Sequence, residues 1–379
     1  MPARIAQTME KPKLREWSPR IWEGCDAFAY LELLARNRFA VEFPYWYIAG
    51  ICSVMSCVNT GLRWFQRGLY GDRVDATRIT HAPIFVLGHW RTGTTLLHEL
   101  LILDDRHAYP NTHACTVPCH VLLSEDFFKR FLWFLTPDKR PVDNMPAGWD
   151  RPQECEFALA LLGEPGTYKD FAFPNRPPLH PGSLDQSSLT PSQFAKWKRT
   201  FMRFLKEITL KDPRRLVLKS PPHTARIPAL LDMFPDARFV HLVRNPYSLF
   251  VSTVNLWTRL AKTHGLQTPR SPQAIEEKVF HEFRVLHEKY EATKSMIPAG
   301  RLVELKYEDL TSDIVGQTRK IYEGLELGEF ETVEPKILQY QANNRNYETN
   351  KYQLTPELKA RIRDRWGDLI EKLGYPVDS

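Results

Sequence analysis

Residues 85–95 read FVLGHWRTGTT, and Gly88-x4-Gly93-Thr94-Thr95 keeps the interval of the phosphate-cradling loop G-x-x-x-x-G-K-[S/T] with a threonine in place of its lysine. A strand-to-helix turn with glycines at its ends aims several backbone N–H groups at one point, and the helix start adds the positive end of its dipole. Such a turn is an anion site. The N–H groups of Thr92, Gly93, Thr94 and Thr95, the two hydroxyls of Thr94 and Thr95, and the planar, always-charged fork of Arg91 are its donors. The missing lysine argues against γ-phosphoryl transfer from ATP, in which lysine and magnesium neutralise the transferring group. The usual acidic metal partner is also not evident, because the apolar run 237–243 leads into Arg244. A sulfuryl group carries less charge to neutralise and can be served by arginine alone.

A second basic motif follows that run. In FVHLVRNPYSLFVSTVNLW, Arg244 ends a strand, Asn245-Pro246 opens a helix, and Ser252 stands just over two helical turns beyond Arg244. An arginine with a serine hydroxyl makes a second phosphate pocket, distinct from the first loop. Other candidates are Lys219, at the end of the run RLVLK; His223, just after KSPP; and Tyr307, after RLVELK. His98 and Cys155 read as packed side chains. The cluster HACTVPCH (113–120) has no standard zinc spacing, and no metal is expected there.

The two motifs together resemble those of sulfotransferases that use 3′-phosphoadenosine 5′-phosphosulfate (PAPS). GHWRTGTTLLHELL is similar to their 5′-phosphosulfate loop, and RFVHLVRNPYSLFVSTV to their 3′-phosphate motif, with Arg244 and Ser252 at the arginine and serine positions. The segment LVLKSPPHTARIPALLDMFPDARFVHLVRNP looks like the K-S-P-x-H region of bacterial-type members, and LKYEDL like their late Y-E-D-L. DRPQECEFAL resembles the P-E-E-[C/D] segment whose glutamate serves as base, which points to Glu154; Gln153 replaces the first glutamate, and Glu156 is a near neighbour. The resemblance spans roughly residues 80–375. It implies PAPS as co-substrate, no metal requirement, Arg91 stabilising the transferring group, and a base chosen among Glu154, Glu156 and His223. Lys219, Tyr307, Lys351 and Arg345 are further candidates for nucleotide contact.

The elements that must hold these residues show in the hydropathy pattern. Short apolar runs at PIFVLG, RLVLK, ARFVHLV and RLVELK are each followed by a helical segment. Alternating strands and helices imply an α/β fold with a central parallel sheet, and ligands of such sheets lie at the strands' carboxyl ends. The resemblance makes that fold P-loop-like. Residues 1–80 read as a helical N-terminal extension, 81–379 as the transferase domain, and about 105–190 as an insertion that shapes the acceptor site. Aromatic side chains of the insertion, among them Phe127, Phe128, Phe131, Trp133, Phe134, Phe171 and Phe173, either line a lipophilic acceptor pocket or form a core beneath a lid. Thr190-Pro191-Ser192-Gln193 carries a capping box, and Thr355-Pro356 and Gly374 bracket a last helix.

Composition narrows the partners. A net charge of +6 without a Lys/Arg block suits an anionic ligand or membrane surface and argues against nucleic acid. The acceptor is expected to be a small-molecule, lipid or glycan alcohol. Six cysteines without a C-x-x-C pair suit a reducing compartment, and the polar N-terminus shows no signal peptide, so a cytoplasmic location is expected. The most apolar stretch, 43–58, is too short to span a bilayer and reads as a buried or interfacial helix, which leaves peripheral membrane contact open.

Overall fold

The computed structural model describes residues 19–136, 147–344 and 354–377. In chain order the helices and strands are α1 Ala27–Arg36, α2 Trp46–Ala76, β1 Ile84–Leu87, α3 Thr94–Leu101, β2 His107–Ala108, α4 Thr112–Thr116, α5 Val121–Phe131, α6 Cys155–Leu161, α7 Pro191–Lys211, β3 Arg215–Lys219, α8 Ile227–Met233, β4 Arg238–Val243, α9 Pro246–His264, α10 Pro272–Thr293, β5 Leu302–Lys306, α11 Tyr307–Ser312, α12 Ile314–Gly324, α13 Glu334–Asn343 and α14 Pro356–Lys372.

The strands pair in the order β2-β3-β1-β4-β5, every pair parallel. Strand β1, IFVL, is buried at every position because helices cover both faces of the sheet. Four of the strands are those the apolar runs indicate; β2, two residues long, is too short to leave a periodic trace. β1 lies at the centre with β3 and β4 on its two sides, so the chain leaves it at a point where the strand order reverses. The loop 88–93 emerges there and runs into α3.

Local chemistry fixes the helix ends. Thr190 and Gln193 exchange side-chain and backbone hydrogen bonds at the start of α7, with Pro191 in its first turn. Thr355 Oγ1 accepts from the Leu358 N–H at the start of α14, and Gly374, with φ of 70°, follows its end.

The N-terminal helices pack into the body of the molecule. One hydrophobic cluster joins Trp22, Tyr30 and Leu33 to Trp90 of the loop, to Trp257 of α9 and to Trp366 of α14. The Trp22 indole N–H donates to the His264 carbonyl at 2.6 Å.

Several histidines are buried in this interior. Burial lowers His89 and His120 to about 4, from an ordinary value of 6.5. The unfolded chain therefore takes up protons below pH 6.5 that the folded chain refuses until about pH 4. Stability is expected to fall as pH drops through that window. Thermal midpoints measured across it should decline steadily, and His89→Asn should flatten the decline.

Candidate active site

Both glycines of the loop are required by geometry. Gly88 has φ of 144°, and a Cβ there would lie 2.5 Å from the Leu242 carbonyl oxygen. Gly93 has φ of 93°, and a Cβ there would sit 2.2 Å from the Tyr307 ring. Thr92 is fully buried and turns its hydroxyl back to donate to the His89 carbonyl at 2.7 Å, which tightens the turn. The first turn of α3 receives no side-chain cap, since its cap residue is Gly93. Its N–H groups are therefore not engaged by a capping side chain.

Arg91 also has left-handed backbone, φ 70°, which an L-residue rarely adopts. That conformation carries its side chain to α9, where Nε donates to Ser252 Oγ at 3.0 Å. Arg244, at the end of β4, donates through Nη1 to the Arg91 carbonyl at 3.0 Å and lies over the Tyr307 ring, 4.4 Å from its centroid. The two basic motifs are thus in direct contact. Arg91, Arg244, Ser252 and Tyr307 meet at the carboxyl ends of β1, β4 and β5, with Gly93 packed against the tyrosine. Asn245 caps α9 by accepting from the Tyr247 N–H at 3.0 Å, which fixes the turn that carries Arg244.

A second group forms around Glu154, the residue just before α6. Its Oε1 accepts from Lys219 Nζ at 2.6 Å, and its Oε2 accepts a short hydrogen bond from the Tyr168 hydroxyl. Tyr168 in turn accepts from the Trp90 indole N–H at 2.8 Å. The loop and the carboxylate are linked through Trp90 and Tyr168. Burial, then the neighbouring Glu154 charge, pushes the Tyr168 phenol well above its ordinary value, so it remains a donor. Lys219 is 1% exposed and lies opposite Val86 in the β1–β3 register, which sets it beside the loop's origin.

The other candidates lie apart. Glu156 is buried in a bidentate pair with Arg226, at 2.8 and 3.1 Å. His223 is fully buried, its ring packed against Phe85 and Phe201 and its Nε2 set 3.2 Å from Cys155 Sγ. Burial, followed by the Arg226 charge, lowers His223 well below the ordinary imidazole value. Burial raises the Cys155 thiol to about 12, so it stays protonated. His98 is buried against the Val217 carbonyl at 3.2 Å. His113 and His120 both reach Ser124 Oγ, at 2.9 and 2.7 Å. Arg345 and Lys351 lie outside the described residues.

The aromatic side chains of the insertion divide. Phe171 and Phe173 are buried, whereas Phe127, Phe131, Trp133 and Phe134 stand on the surface. Sequence reasoning missed Tyr168 and Trp90. Trp90 lay within the loop motif itself; Tyr168, in EPGTYKDF, carried no spacing that pointed to Glu154.

An uncapped glycine-framed turn, two arginines in contact and a braced carboxylate thus lie on one parallel sheet, and the chain belongs to the sulfotransferase family, whose family model matches residues 83–331. It is 42% identical over 361 residues to the omega-hydroxy-beta-dihydromenaquinone-9 sulfotransferases of Mycobacterium bovis and Mycobacterium tuberculosis, a match covering 95% of this chain and 92% of the relative. That match takes in α1 and α2, so the likeness reaches further toward the N-terminus than the motifs alone indicate. Among solved structures, a sulfotransferase of Mycobacterium avium superposes with a TM-score of 0.67 at 21% identity, covering 93% of each chain. A second, from Mycobacterium tuberculosis, superposes with 0.55 at 20% identity, covering 91% of this chain and 94% of its own. Both share the fold.

Proposed function

We propose that this sulfotransferase moves the sulfuryl group of PAPS to the hydroxyl of a lipid-like alcohol. The observation that carries this reading is the contact among Arg91, Ser252 and Arg244, which joins an anion-binding turn to a second basic position. In the proposed reaction the 5′-phosphosulfate lies against the 93–95 N–H groups and the first turn of α3; the Thr92 N–H, expected from the sequence to join them, instead donates to the His89 carbonyl at 3.3 Å. Arg91 stabilises the bridging oxygen as its bond to sulfur breaks. Arg244 and Ser252 hold the 3′-phosphate, and the Tyr307 ring packs near the nucleotide. Glu154 takes the acceptor's hydroxyl proton while the new oxygen–sulfur bond forms, leaving a sulfate ester and adenosine 3′,5′-bisphosphate. Lys219 and Tyr168 aim the carboxylate. None of these steps assigns a role to a metal ion.

The relatives act, by name, on a hydroxylated menaquinone derivative, and an apolar alcohol suits this chain as well. A cavity of about 650 Å³ lies between the proline-rich loop 173–191, α9 and α10, lined by Phe171, Leu184, Trp257 and Ile275, with Asp170 and Lys278 among its charged members. Trp257 packs on Tyr168, the residue that donates to Glu154. The apolar body of an acceptor fits this cavity, whose wall residue Trp257 and the Tyr168 ring behind it lead to the carboxylate.

Calorimetry with adenosine 3′,5′-bisphosphate and with AMP tests the nucleotide assignment. The wild type should prefer the bisphosphate, and Arg244→Ala should lose roughly tenfold to a hundredfold of that preference, as expected when a charge-assisted contact is removed. Equal affinity of the wild type for both nucleotides would contradict it.

A further inference from the structure

Helix α2 turns an apolar side to the surface. Its buried side holds Ser56, Asn59, Thr60 and Gln66 beside Ile48, Cys52 and Val74, while Tyr47, Ile51, Val54, Val58, Phe65 and Leu69 stand exposed. At 100° per residue these six fall on one stripe, on the order of 35 Å long. Residues 46–62 contain no charged side chain. The inward polar groups are used: Asn59 Nδ2 donates to the Glu23 and Cys25 carbonyls at 2.7 and 2.9 Å. The orientation of the helix is therefore fixed by its partners, and the apolar side is left outward.

The exposure continues onto α5, which is tied to α2 by the Leu122 N–H donating to Gln66 Oε1 at 2.7 Å. There Phe127, Phe131 and, just beyond the helix, Trp133 are 53, 56 and 68% exposed. A seam for a second helix would be narrow and flanked by charge. Here Trp46 and Trp64, at 61 and 66% exposure, border the stripe along one side, and the surface spans two helices. Its border carries an excess of positive charge. Among the described residues no carboxylate pairs with Arg38, Arg67, Arg73 or Arg130, against two exposed carboxylates, Asp72 and Asp126, that no cation pairs; Glu32, Asp75 and Glu125 are each matched by a cation.

We propose that α2 and α5 dock the chain on the surface of an anionic lipid bilayer. α2 lies in the plane of the interface, its aromatic and aliphatic stripe among headgroups and upper acyl chains, and the bordering arginines meet lipid phosphates. No helix among the described residues is long and apolar enough to cross the membrane. The docking stands on this surface alone and is independent of the acceptor reading, although a lipid alcohol would be met where it resides.

Flotation of the full chain with phosphatidylcholine vesicles, with and without phosphatidylglycerol, tests this. The wild type should rise with the anionic vesicles and less with the neutral ones. Tyr47→Gln/Val54→Gln/Phe65→Gln should lower the bound fraction roughly tenfold or more while leaving the thermal midpoint near that of the wild type, because all three side chains are already exposed. A wild type that stays at the bottom with every vesicle overturns the proposal. So does a concentration-dependent dimer in sedimentation that the same substitutions dissolve, with no vesicle binding.

Discussion

Glu154→Gln is expected to lower kcat by about a hundredfold to ten-thousandfold, the range of general-base loss, with little change in donor KM. Glutamine keeps the shape of the side chain but gives up the site that would take the acceptor's proton. It also removes the counter-charge of Lys219, whose Nζ lies 2.6 Å from Glu154 Oε1 in a buried pair. Breaking a buried ion pair by removing one partner costs about 3–5 kcal/mol. The single variant should therefore melt earlier as well as react slowly. Adding Lys219→Met removes the other half of the pair, so the double variant should recover much of the thermal midpoint and none of the rate. Recovery of both would make Glu154 a structural residue, and so would a single variant that turns over within a few-fold of wild type.

Arg91→Ala should lose about a hundredfold to a thousandfold in kcat, the scale of removing one preorganised donor from a developing charge. Arg91→Lys should recover little, because an ammonium cannot bond Ser252 and the transferring group through a planar fork. Backbone strain offers a control. Arg91 has φ of 70°, so glycine suits the position better than arginine or alanine does. Arg91→Gly should fold at least as well as the wild type and still lose the rate, as steady-state kinetics beside a thermal melt would show. An Arg91→Gly enzyme of near-normal kcat would remove the arginine from the chemistry.

Most of the sheet and one of the two site clusters are legible in the sequence. The runs at β1, β3, β4 and β5 are buried on both faces, so their composition alone marks them, and each ends next to a candidate residue. Gly88, Gly93, Arg91, Arg244 and Ser252 belong to local motifs whose spacing marks them in the sequence, and the fold brings the two motifs into contact. The brace around Glu154 is different in kind. Lys219 and Glu154 are 65 residues apart, and Tyr168, in the 3-10 turn Thr167–Phe171, meets Glu154 from beyond α6. Such contacts arise from tertiary packing and leave no periodicity. For the same reason His223 looks reactive beside its proline pair, while the fold buries it between Phe85 and Phe201. Glu156 looks interchangeable with Glu154 until its helix carries it to Arg226. The exposed side of α2 was half visible: its apolar character is local, but which side faces outward depends on Asn59 and the carbonyls it meets.

The most direct test of sulfuryl transfer is incubation of the wild type with sulfur-labelled PAPS and an ω-hydroxylated isoprenoid quinone, without added metal, followed by separation of the products. Labelled sulfate ester should appear in step with adenosine 3′,5′-bisphosphate. Nucleotide binding without label in any ester, or transfer to the quinone only from ATP with magnesium, would contradict the assignment.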